Sequence, residues 1–119
     1  MAQIRRNNRF YIENKDYYSV KIEVYPGRHA DCILNDISVS GACIILSKEI
    51  FLQREKPYSF EFLEKNEQGE FQKVTSVNGK MVWYLHKEFR DQDMLYLGIE
   101  FQNEISLPES ITTQGKVKA

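Results

Sequence analysis

The chain is 119 residues long and 42% hydrophobic, with a formal net charge of -1 and a pI near 6.1. That is one domain's worth of sequence, with enough apolar material for a single compact core. The near-neutral balance argues against a protein that coats a nucleic-acid polymer or an anionic membrane, because such binding draws its affinity from many cationic contacts to phosphates.

No apolar run reaches the roughly 18 to 20 residues that a membrane-crossing helix needs, and the polar, arginine-bearing start is not followed by the apolar stretch of a secretory signal. The expectation is a soluble, cytoplasmic protein with no membrane span. Charge is nonetheless uneven. Up to Lys15, the cations Arg5, Arg6, Arg9 and Lys15 face only Glu13, so a local anion site belongs near the N-terminus.

Beyond this segment apolar and polar residues alternate, the period-2 signature of strands with one face on a core. Val20, Ile22 and Val24 alternate with Lys21 and Glu23, and Pro26-Gly27 supplies the turn of a first hairpin. The run from Ala30 to Leu34 is expected to stop at the polar, turn-prone Asn35-Asp36, after which Gly41 to Leu46 is a continuous apolar run of strand length. Cys32 and Cys43 are too few for a disulfide framework and too far apart for a Cys-x-x-Cys pair, so they read as free, buried thiols. Ser47 to Lys56 has room for one helical turn. Tyr58, Phe60 and Phe62 then alternate with Ser59 and Glu61, and Asn66 to Gly69 reads as a loop leading to Phe71 through Val77. Asn78-Gly79 is ambiguous by itself, since that pair marks either a tight hairpin or a bulge inside one long strand. Met81 to Leu85, a charged loop from His86 to Asp93 and a strand from Met94 to Phe101 complete the body. Leu107 to Gln114 offers at best a short helical turn, because Ile111, Thr112 and Thr113 are β-branched and Gly115 stops the run. The elements predict an all-β fold of antiparallel strands in a small barrel or sandwich, closure being the way such a sheet removes its unpaired edges.

Two short motifs stand out against this body. Arg5-Arg6-Asn7-Asn8-Arg9 reads Arg-x-x-x-Arg, and Asp36-Ile37-Ser38-Val39-Ser40-Gly41, starting 27 residues after Arg9, reads Asp-x-Ser-x-x-Gly. In this order, and with Leu97-Gly98-Ile99-Glu100-Phe101 closing the last strand, they resemble the PilZ domain, a bacterial receptor module for cyclic di-GMP. The resemblance spans roughly Ile4 to Phe101. It implies a six-stranded antiparallel barrel and favours the bulge at Asn78-Gly79. It also implies a sensor that needs no cofactor, takes cyclic di-GMP as its ligand and acts on a downstream protein or attached domain. The weak or absent C-terminal helix departs from the family pattern. The expected division is a flexible, ligand-binding arginine segment over residues 1–10, a barrel over 11–106 and a tail over 107–119.

The residue chemistry fits that ligand. Arginine can donate two parallel hydrogen bonds to the O6 and N7 of guanine, stack on a purine face and keep its charge at any physiological pH. Arg5 and Arg9 lie about 13 Å apart if the segment is extended and about 6 Å apart if it is helical, and either separation can clamp a folded dinucleotide. Arg6 can add a phosphate contact. Asp36 is an acceptor suited to the N1 and N2 donors of guanine, the Ser38 hydroxyl can donate to a base or phosphate oxygen, and Gly41 allows close backbone approach. Asn35 and Ser40 flank the motif in accessory roles.

Each motif alone has a plainer reading. Paired arginines near a terminus are usually solvated charge, and Asp-x-Ser-x-x-Gly is often a turn whose side chains hydrogen-bond their own backbone. An enzyme has little to stand on, because His29 and His86 are isolated, Ser38 and Ser40 lack the Gly-x-Ser-x-Gly elbow, and no metal-ligand spacing occurs. Trp83 and Tyr84 read mainly as strand packing, with a groove or partner surface as the lesser option. Two other functions remain open: a PilZ-like protein-interaction module that binds no nucleotide, and a small barrel for single-stranded nucleic acid with aromatic stacking platforms.

Overall fold

The computed structural model describes residues 8–47, 50–114 and 116–117. Its strands are β1 (Phe10–Tyr11), β2 (Tyr18–Tyr25), β3 (Arg28–Ile37), β4 (Gly41–Ser47), β5 (Pro57–Lys65), β6 (Phe71–Phe89), β7 (Gln92–Phe101) and β8 (Lys116–Val117), with one short helix, α1 (Glu109–Gln114). The pairing order β2-β5-β6-β7-β4-β3 returns from β3 to β2, so six antiparallel strands close into a ring. The all-β barrel expected from the alternating pattern is therefore present, its six strands paired around the ring.

Alternation decides what goes inside. Val20 and Ile22 on β2, Leu34 on β3, Ile44 and Leu46 on β4, Phe60 and Phe62 on β5 and Leu97 and Ile99 on β7 all face one core and are buried. Phe60 sits opposite Ile22 and Val77 on its two neighbours, which is why its ring has no exposed surface. Burying each such side chain stabilises the barrel by about 1.5 to 3 kcal/mol. The first hairpin turns at Pro26-Gly27, where Gly27 takes φ 80 and its N–H donates to the Glu23 carboxylate at 3.1 Å. Only glycine adopts that backbone without strain.

Several local expectations are corrected. Asn35-Asp36 does not end its strand: β3 runs on to Ile37, and the register slips between Leu34 and Asp36, leaving Asn35 as the extra residue of a bulge. The bulge frees the Asn35 carbonyl to accept from the Ile12 N–H at 3.0 Å, which ties the N-terminal segment to the barrel. The strand β6 does run through Asn78-Gly79, but its pairing there is regular. Its slips instead lie opposite Phe62/Leu63 and between Met81 and Trp83. No loop spans His86 to Asp93, because β6 continues to Phe89 and turns through Arg90 and Asp91, both at positive φ, straight into β7. Among the described residues of the 47–56 stretch there is no helix: β4 ends at Ser47, and irregular chain leads to a turn at Arg54-Glu55. The short α1 lies where the sequence allowed a helical turn.

Candidate functional site

The hairpin that carries the Asp-x-Ser-x-x-Gly motif is shaped by its own hydrogen bonds. The Ser38 N–H donates to the Gly41 carbonyl at 2.8 Å, and the Ser38 hydroxyl lies 3.4 Å from both the Gly41 carbonyl and the Ser40 hydroxyl and accepts from the Ser40 N–H at 3.3 Å. Ser38 has no exposed surface, so within this structure its hydroxyl serves the turn. Gly41 is required by a neighbour: a Cβ there would lie 2.5 Å from the Ile99 carbonyl oxygen on β7. The motif thus packs β4 tightly onto β7 and sets Ser40 at the rim of a surface cleft.

Asp36 is 3% exposed, yet its carboxylate is well partnered. The Arg9 guanidinium donates to Oδ1 at 2.9 Å, and the Asn35 amide donates to Oδ2 at 3.1 Å. Burial of a carboxylate is tolerable only with such partners, since an uncompensated buried charge costs several kcal/mol. The short strand β1 begins at the next residue, Phe10, which pairs with Ile37 while Tyr11 pairs with Asp36. Backbone pairing therefore delivers Arg9 to its carboxylate. Arg5 and Arg6 lie outside the described residues.

Beside the Arg9 end of this ion pair is a cleft of about 180 Å³ lined by Arg9, Ser40, Gly41, Trp83, Gly98 and Glu100. Larger surface hollows of about 410 and 480 Å³ touch neither motif. Trp83 reaches this cleft because of a bulge. Met81 pairs with Ile99 and faces the core, and without an extra residue Trp83 would share that inward parity. Val82 is the extra residue, so Trp83 pairs with Gly98 and turns to the outer face, 44% exposed. Gly98 makes room for it: a Cβ at that position would overlap the indole ring. Glu100 stands on the same rim, its carboxylate 3.7 Å from Lys80 Nζ.

The structure brings Arg9, Asp36, Asn35, Ser40 and Gly41 to one place, with Ser38 beneath them in the turn. Trp83 takes the groove position that the sequence left as its lesser option, and Gly98 and Glu100 of the closing Leu-Gly-Ile-Glu-Phe run join the cleft without having been expected there; the bulge that aims Trp83 outward has no signature in the alternation. The cleft gathers a guanidinium, a flat aromatic face, a hydroxyl and an exposed carboxylate. No cluster of His, Cys, Asp and Glu suited to a metal ion occurs among the described residues, and no helix among them is long and apolar enough to cross a membrane.

Comparison with known proteins gives the same frame. Among curated proteins no relative matches the chain. Among solved structures, the Borreliella burgdorferi PlzA protein in complex with cyclic di-GMP matches with TM-score 0.65 at 12% identity, over 95% of this chain and 50% of PlzA. The PilZ domain of YcgR from Escherichia coli, with cyclic di-GMP, matches with TM-score 0.62 at 16% identity, over 92% of this chain and 84% of that one. The Bacillus subtilis inhibitor of motility MotI/DgrA matches with TM-score 0.56 at 13% identity, over 86% of this chain and 44% of its own. The chain thus spans about half the length of PlzA and somewhat less of MotI. Identities this low speak for the fold alone. The family model described as PilZ domain matches residues 3–116, nearly the whole length, and the chain therefore belongs to the PilZ domain family.

Proposed function

We propose that this protein is a receptor for cyclic di-GMP that acts by binding and not by catalysis. The observation that carries the reading is the meeting of the two motifs: Arg9 of the first lies 2.9 Å from Asp36 of the second, on a cleft that also holds Ser40, Gly41 and the open face of Trp83. Two of the family's solved members were crystallised or determined with the same nucleotide, in keeping with this ligand.

In this reading Arg9, exposed over nearly half of its side chain while bonded to Asp36, turns its free donors to a guanine edge or phosphate. Trp83 offers a stacking surface for the base, and such base-aromatic contacts are worth about 1 to 3 kcal/mol. Asp36 acts chiefly through Arg9, which it orients; Ser38 and Gly41 hold the turn; Asn35 steadies the carboxylate. Glu100 is the exposed acceptor within reach of the N1 and N2 donors of guanine. Arg5 and Arg6 supply further guanidinium groups when the nucleotide draws the leading segment onto the barrel. Ordering that segment costs roughly 1 to 2 kcal/mol per residue, so charge-assisted bonds must exceed this for useful affinity. The closed segment then forms a changed surface for a downstream protein or attached domain to recognise.

Calorimetric titration with cyclic di-GMP, against GTP and the linear dinucleotide, tests the ligand. Saturable heat with cyclic di-GMP alone is expected, and none with any of the three sinks the assignment. Amide exchange over residues 3–8 with and without nucleotide tests the ordering step, and full protection in the free protein would rule it out.

A further inference from the structure

One stretch of β6 lies outside the ring closure. The strand β5 covers β6 only as far as the Pro57–Lys80 pair. The next two carbonyls on that side are taken by the preceding turn: Met81 accepts from the Glu55 N–H at 3.2 Å and Val82 from the Arg54 guanidinium at 2.7 Å. From Trp83 to Phe89 the strand pairs with β7 on one side, and among the described residues no strand lies on the other. The first residues of the uncovered edge are also apolar and exposed. Tyr84 and Leu85 are each more than half exposed, and a groove of about 240 Å³ between Tyr84, His86 and the 82% exposed Phe51 runs beside it. Soluble proteins blunt such edges with charge, proline or a partner strand, since unpaired N–H and C=O groups template further pairing.

We infer that a second copy of this chain covers the edge, the two β6 strands pairing antiparallel about a two-fold axis at His86, so that one sheet runs through both barrels. The window sets the register. Arg54 and Glu55 block one end, the turn at Arg90-Asp91 closes the other, and only the pairing centred on His86 uses all seven residues between. It sets Trp83 opposite Phe89 of the second copy, Tyr84 opposite Glu88 and Leu85 opposite Lys87. The charges agree with this choice. The window holds one cation, Lys87, and one anion, Glu88, so its formal charge is zero with His86 neutral, and neither group directly faces its like. Each meets instead a leucine over which a lysine stem can lie or a tyrosine hydroxyl that can donate to a carboxylate.

Sedimentation equilibrium of the full chain without nucleotide tests the inference independently of ligand binding. A monomer-dimer equilibrium is expected. Leu85→Lys places lysine against Lys87 twice across the axis and is expected to raise the dimer Kd roughly tenfold or more. Leu85→Glu meets the same lysines with opposite charge and is expected to keep the dimer, as is the double variant Leu85→Lys with Lys87→Glu. Circular dichroism confirms that each variant is folded; if Leu85→Lys alone fails to fold, the double variant and Leu85→Glu still decide. A strictly monomeric wild type at every soluble concentration overturns the proposal, and so does a dimer that Leu85→Lys leaves intact or that both charges weaken equally.

Discussion

At the scale of single residues, Arg9 has two tasks that substitution can separate. It faces the cleft, and it is a partner of a carboxylate with almost no access to water. If Arg9 served the ligand alone, Arg9→Ala would leave the melting temperature nearly unchanged. The ion pair alters that expectation. Arg9→Ala is predicted to lower cyclic di-GMP affinity by one to two decades, the loss of a good bidentate contact, and also to cost about 1 to 3 kcal/mol of stability through the weakened partnering of Asp36. Calorimetry and denaturant unfolding together check both halves; full stability with lost binding would mean that the Asp36 contact contributes nothing to the fold. Gly98 makes a complementary test. In Gly98→Ala the new methyl group displaces the Trp83 indole, and affinity is predicted to fall while Arg9 and Asp36 stay intact. Gly41→Ala, by contrast, collides with backbone at Ile99 and is predicted to destabilise the barrel itself by about 1 to 3 kcal/mol.

At the scale of elements, β1 is the part that joins site to scaffold. It is only two residues long, with β3 on one side and β8 on the other: Phe10 pairs with Ile37 and Val117, and Tyr11 with Asp36 and Lys116. Holding either neighbour of so short a strand supports the other, and by linkage whatever favours the β1–β8 pairing favours the placement of Arg9. Val117→Pro, which interrupts that ladder, is predicted to speed amide exchange at Phe10 and Tyr11 and to weaken nucleotide binding. Unchanged exchange at both amides would show that β8 gives no support. The long strands and the core were readable in advance because alternation at Val20 and Ile22, or at Tyr58, Phe60 and Phe62, follows directly from the two-sided geometry of a strand. The bulges at Asn35 and Val82 were not. Each depends on what the neighbouring strand offers, and each redirects residues that matter to the site: Asn35-Asp36 stays in a strand where its polarity suggested a turn, and Trp83 turns outward where parity with Met81 points in. The short β1 and β8 escaped for another reason, since a two-residue strand has no periodicity to read.

At the scale of the whole molecule, closure of the sheet hides Cys32 and thereby limits stability at high pH. Burial pushes its thiol from 9.0 up to about 12, and burial also raises Tyr18 and Tyr96. Because the folded chain keeps the Cys32 proton longer than the unfolded chain does, the associated stability is fully present below about pH 9 and is lost as pH rises toward about 12. Denaturant midpoints are predicted to fall over that window, and Cys32 to resist alkylation in the folded protein at neutral pH; rapid alkylation without unfolding would contradict its burial. The same closed barrel presents Arg9, Ser40, Gly41 and the chain's one tryptophan at a single cleft, which makes the site report on itself. Titrating cyclic di-GMP into the protein while following Trp83 emission is the most direct test: the account predicts a saturable change in wild type that moves to much higher nucleotide concentration in Arg9→Ala, whereas emission that stays flat while calorimetry shows the site filling would contradict it.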